Sequence, residues 1–190
     1  MMLSAGGAAL LLTSCATTIP KPLHSAADFR PESMDTVYIL PVVDARPDKK
    51  LDLNLAKLQK NMASDLKHKR YQVVALPDTK LVAGITDEDF REPSRDWIKG
   101  IGPSEARWVM VLAVGELSRK IVFGSTGNAE VNLAIFDKQT GTVVWRDKAL
   151  GRAGQGGLLG MLMVSMMDDE ALAQAVGQVM YKIPKKPKGT

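Results

Sequence analysis
The sequence predicts an α/β (α+β) fold: a single domain with a mixed five-stranded sheet, in which a βαβ unit is followed by an antiparallel three-strand meander and a C-terminal helix. Three observations carry that expectation. Two apolar runs of strand length, residues 36–43 and 71–77, flank a stretch whose apolar residues recur every three or four positions, the order of a βαβ crossover. Three further strand candidates between residues 106 and 146 are joined by short turn-forming segments, so they pair as antiparallel neighbours. Composition agrees with a packed domain, since 45% of residues are apolar and 24% charged, both ordinary for a globular chain.

The domain is expected over residues 36–183. Thr36-Val37-Tyr38-Ile39-Leu40-Pro41-Val42-Val43 is almost continuously apolar and β-branched, which suits a strand covered on both faces. Asp44-Ala45-Arg46-Pro47-Asp48 reads as a turn, because Pro fixes φ and Asp bonds to nearby backbone. An ion pair or ligand role for Asp44 and Arg46 is the less favoured reading. From an N-cap at Asp52 or Asn54, Leu51, Leu55, Leu58, Met62 and Leu66 form one apolar helix stripe. Lys67, His68, Lys69 and Arg70 suit its solvated end, where cations meet the negative pole of the helix dipole. Residues 71–76 return as a strand, and Pro77 stops it.

Two short helices follow, one over residues 86–90 and one capped by Ser94, with Phe90, Trp97 and Ile98 turned inward. Asp87, Glu88 and Asp89 fit a helix start; they lack the spaced donors and the central Gly of a calcium loop. Ala106 to Val114 is the most apolar strand and is expected at the centre of the sheet, continuing less regularly to Val122. Gly124 to Asn128 reads as a turn. Val131, Leu133 and Ile135 then alternate along the next strand, Asp137 to Gly141 form a hairpin loop, and residues 142–146 return. The expected strand order is 2-1-3-4-5. Gly151, Gly154, Gly156, Gly157 and Gly160 punctuate the next segment, which lacks the Gly-Lys-Ser/Thr ending of a phosphate-binding loop. Asp168-Asp169-Glu170 begins the last helix, over residues 169–182, with Leu172, Ala175, Val176, Val179 and Ile183 inward.

The N-terminus carries the most specific signal. The apolar run from Leu3 to Leu12 is too short to span a bilayer but fits the core of an export signal, and the only cysteine of the chain follows it. Leu12-Thr13-Ser14-Cys15 resembles the lipobox of bacterial lipoproteins. The resemblance implies that residues 1–14 are a signal peptide, that Cys15 becomes the acylated, palmitate-type membrane anchor, and that Ala16 directs the protein to the outer membrane, facing the periplasm. An acylated Cys15 would also remove the anomaly of a lone thiol in an exported protein. Residues 15–35 lack periodicity and read as a flexible linker, with His24 isolated in it.

The formal charge of +4 is small, and the one dense basic run, Lys182 to Lys188, ends in a basic tail over residues 184–190 that is expected to stay solvated or to rest on anionic headgroups. Basic residues and aromatics are not gathered as a nucleic-acid interface requires. Neither His24 nor His68 belongs to a Ser/His/Asp pattern, and no metal set or cofactor motif is present, so an enzyme is not expected, nor a cofactor. The element order β-α-β-α-β-β-β-α in a lipidated chain resembles the α/β domain of curli-assembly-type lipoproteins and the N-terminal domain of TolB-like proteins. That likeness implies a non-catalytic role in binding or assembling protein or cell-wall partners, or in homo-oligomers; a periplasmic hydrolase or small-ligand carrier is the alternative. The candidate contact residues are Leu158, Leu159, Met161, Met163 and Met166, because flexible Met side chains adapt to varied partners. In the competing reading, Leu158, Leu162 and Met166 form the first turns of the last helix and cover the sheet.

Overall fold
The computed structural model describes residues 21–49, 51–157 and 162–188. Its centre is a seven-stranded mixed sheet in the order β1-β7-β6-β5-β2-β4, with β3 paired to β5 beside β2. The strands are β1 (His24–Ser25), β2 (Thr36–Ile39), β3 (Val43–Asp44), β4 (Gln72–Ala75), β5 (Trp108–Val122), β6 (Gly124–Asp137) and β7 (Thr142–Gly156). The five strands expected from the sequence lie in the expected order. β3 arises because Pro41 lacks an N–H and interrupts the first run. From Ile39 to Val43 the chain advances four residues while its partner β5 advances three, from Met110 to Ala113.

Helix α1 (Leu55–His68) connects β2 to β4, both parallel to their neighbours as a βαβ unit requires. Asn54 caps it by accepting from the Lys57 N–H at 3.0 Å. It ends in a Schellman arrangement, with Arg70 at φ 72° and the Tyr71 N–H donating to the Leu66 carbonyl. Its inward residues Leu58, Met62 and Leu66 share one core with the inner stripe of α4 (Val164–Lys182), namely Ala171, Leu172, Ala175, Val176 and Val179. The short helices α2 (Asp87–Arg91) and α3 (Arg95–Gly100) cover the opposite face, burying Phe90 and Ile98 against Val109, Val111 and Phe136. Thr86 and Asp89 form a capping box, so the carboxylate run does serve a helix start.

Several expectations change. Residues 21–35 are not a free linker over their described length: β1 adds to the outer edge of β7, Phe29 packs on the core, and Met34 is fully buried. Gly124 to Asn128 is strand, since the β5–β6 hairpin turns at Phe123 and Gly124, where φ is +117°. The glycines from 151 to 156 lie in β7, paired along β6. Within strands, Gly127 and Gly151 permit a close approach by α4: a Cβ on Gly127 would stand 2.6 Å from the Met167 carbonyl oxygen, and one on Gly151 would overlap that of Ala171. α4 starts at Val164, before the acidic triplet. The basic tail is also held. The Lys182 Nζ lies 2.8 Å from a carboxylate oxygen of Asp147, and the Lys186 Nζ donates to the Met34 carbonyl. Lys69, expected to be solvated, donates to the Tyr181 and Ile183 carbonyls, and burial lowers its pKa.

Candidate binding surfaces
Two surfaces stand out, a cleft at the ends of the parallel strands and the outer half of the meander. The cleft opens where β2 and β3 hand over to α1, the position at which open α/β sheets commonly expose a crevice. About 790 Å³ in volume, it is lined by residues 51–56, Arg119 of β5, and Ser165, Asp168 and Asp169 of α4. Its wall is braced by Arg46, only 4% exposed, which donates to both Asp44 carboxylate oxygens at 2.7 and 2.8 Å and to the Leu51 carbonyl at 2.7 Å. The hydrogen bond from Arg46 lowers the Asp44 pKa, and the same bond raises that of Arg46; burial opposes both shifts. The favoured reading of Asp44 and Arg46 as turn residues is therefore replaced by a bidentate ion pair. Across the cleft, the Arg119 Nε donates to Asp168 at 2.9 Å and its Nη2 reaches the same oxygen. The other Asp168 oxygen is buried without a hydrogen-bond partner.

This arrangement can hold a small polar ligand. Among the described residues, no group of three or more His, Cys, Asp or Glu could hold a metal ion. The His24 Nε2 donates to the Val143 carbonyl, and the His68 Nδ1 donates to the Ser64 carbonyl of its own helix; neither lines the cleft.

The second surface follows from strand length. β2 and β3 pair with β5 only as far as Val114, and the α2–α3 layer stops near Ala113 and Ala134. Beyond that point β5, β6 and β7 continue together to the hairpin at Phe123, and α4 covers one of their faces. The other face carries Glu116, Ser118 and Lys120 of β5, Thr126, Asn128 and Glu130 of β6, and Lys148, Leu150 and Arg152 of β7. Among the described residues no strand pairs with residues 115–122 of β5 on the side away from β6. At the far end, Val122 and Phe123 are 71% and 82% exposed, with Ile121, Leu162 and Met166 also exposed.

Of the residues expected to make contacts, Met163 and Met166 are exposed, whereas Met167 turns into the core. Leu162 and Met166 therefore do not cover the sheet. Cys15, Leu158, Leu159 and Met161 lie outside the described residues. The hairpin tip was missed. Its signal is three successive apolar residues, Ile121-Val122-Phe123, immediately before a turn glycine, an uneconomical place for them unless something covers them.

No protein-family model and no curated protein matches the chain. Among solved structures, lipoprotein GNA1162 from Neisseria meningitidis superposes with a TM-score of 0.47 at 18% identity, covering 71% of this chain and 96% of its own. A PelC dodecamer from Paraburkholderia phytofirmans gives 0.46 at 17% identity, covering 81% and 89%. A minor lipoprotein from Acinetobacter baumannii gives 0.44 at 11% identity, covering 80% and 93%. These structural neighbours thus include bacterial lipoproteins.

Proposed function
We infer that this chain is a bacterial envelope lipoprotein, anchored in the outer membrane through acylated Cys15 and facing the periplasm, which binds or assembles protein or cell-wall partners without catalysing a reaction. The observation that supports the binding role is the half-covered outer meander. Three strands of 14 or 15 residues extend past the layer that protects one of their faces, and the edge of β5 there has no neighbour among the described residues. An open edge presents N–H and C=O groups to an incoming strand, while alternating polar side chains on the bare face discriminate between partners. Lys120 and Glu116 keep that edge from pairing indiscriminately. The small-ligand carrier is the second reading, favoured by the cleft and by the unpartnered, buried oxygen of Asp168.

Photo-crosslinking in cells separates the two. A photoreactive amino acid placed at Ser118, Asn128 or Arg152 should give adducts with a macromolecular partner, and the same label at Asp52 in the cleft should give none. Adducts absent from all three sheet positions, together with a small molecule released from the purified, heat-denatured chain, would reverse the ranking.

A further inference from the structure
The N-terminal strand points toward the apolar end of the molecule. β1 runs antiparallel to β7, with Ser25 opposite Trp145 and His24 opposite Arg146. Followed back toward the N-terminus, the chain therefore climbs β7, and the Leu23 N–H donates to Asp147 at 3.2 Å. From Asp147, β7 continues to Gly156, which pairs with Gly124 beside the hairpin tip. Those nine residues of strand span about 30 Å. The eight residues from Cys15 to Leu23 reach at most about 26–29 Å when extended. The tether is thus long enough, when extended, for Cys15 to reach the level of the hairpin tip.

The chemistry of that end fits the same plane. Ile121, Val122 and Phe123 project beyond the core, and Leu162, Met163 and Met166 are exposed at the start of α4, whose Met167 lies against Gly127 of the same hairpin. Lys120 and Arg152 stand a few residues behind the tip on the bare face, both exposed. Apolar side chains foremost with cations behind them match the order of a bilayer boundary, acyl chains beneath anionic headgroups. The cations behind an apolar tip that lies within reach of the tether favour a lipid surface over a second copy.

We propose that the β5–β6 hairpin tip, with the exposed residues at the start of α4, inserts into the headgroup layer of the membrane that holds Cys15. The domain then stands on two points, acyl anchor and hairpin, and its bare sheet face is turned sideways to partners. This rests on the anchoring of Cys15 inferred above.

The test uses the full chain, expressed in a bacterium that processes lipoproteins, extracted in detergent and returned to vesicles of phosphatidylethanolamine and phosphatidylglycerol with part of the acyl chains brominated. Phe123→Trp reports on the tip, and Gln139→Trp, in the exposed loop at the other end of β6, serves as reference. Both sites are exposed, so both variants should keep the wild-type melting temperature. The emission added at position 123 should shift to the blue and be quenched by brominated lipid several-fold more than that added at position 139. If the chain floats with the vesicles while position 123 stays open to aqueous iodide and unquenched by lipid, the docking is wrong and the anchor stands. If the chain does not float, the anchor is wrong and the docking falls with it. Shielding of position 123 from both quenchers, with a dimer mass in detergent, would assign the tip to a second copy and overturn the proposal.

Discussion
Gly151→Val is expected to destabilise the protein by about 3 kcal/mol. Gly151 lies under α4, where an added Cβ would overlap the Ala171 carbonyl oxygen and stand 2.7 Å from the Ala175 nitrogen. The obstacle is helix backbone, which cannot rotate aside as a side chain would. Overpacking a close-packed interior costs typically about 1–3 kcal/mol and occasionally more, and a clash with backbone belongs at the upper end. A loss of about 3 kcal/mol lowers the melting temperature of a chain this size by about 6–12 °C. Gly154→Val is the control, because a Cβ there meets nothing nearer than the Thr126 hydroxyl at 3.3 Å and the Ser125 carbonyl oxygen at 3.5 Å, on the exposed face. It should melt close to wild type, and equal melting of the two variants would mean that α4 does not seat on β7 as described.

Lys182→Met should cost about as much for a different reason. Asp147 is 1% exposed, and its carboxylate is compensated by the Lys182 ammonium at 2.8 Å and by the Leu23 N–H at 3.2 Å. Removing the cation leaves a buried charge with one weak donor, a change that costs about 3–5 kcal/mol when one member of a buried pair is lost. The double variant Lys182→Met with Asp147→Leu removes the charge as well as its partner, and it should recover most of the loss. The pair also matters for orientation, since it ties the last turn of α4 to the same carboxylate that receives the N-terminal chain. Failure of the double variant to recover would show that Lys182 acts through packing of its stem instead of its charge.

Much of the fold is legible because it rests on local signals. The stripe of Leu58, Met62 and Leu66, the caps at Asn54 and Ser94, and the alternation of Val131, Leu133 and Ile135 each follow from a period or a cap, and the structure keeps all of them. What the sequence hides is tertiary. Gly127 and Gly151 look like turn residues because glycine usually marks turns, and only the approach of α4 explains them as strand. Asp168 looks like a helix-start charge, yet its partner Arg119 is 49 residues away in sequence. β1 is two residues long and has no period to read; its place depends on an edge supplied by β7. The hairpin tip has only the apolar triplet before Gly124 as a signal and no period, because its side chains are exposed instead of packed on the core.

Both the sideways-facing sheet and the membrane-dipping hairpin depend on the chain being held at its N-terminus. The most direct measurement is mass spectrometry of the N-terminal peptide from the full chain expressed in a lipoprotein-processing bacterium. The expected peptide begins at Cys15, is heavier by a thioether-linked diacylglycerol, and is lost in Cys15→Ser. A peptide that begins elsewhere, or that begins at Cys15 with a free thiol, would contradict it.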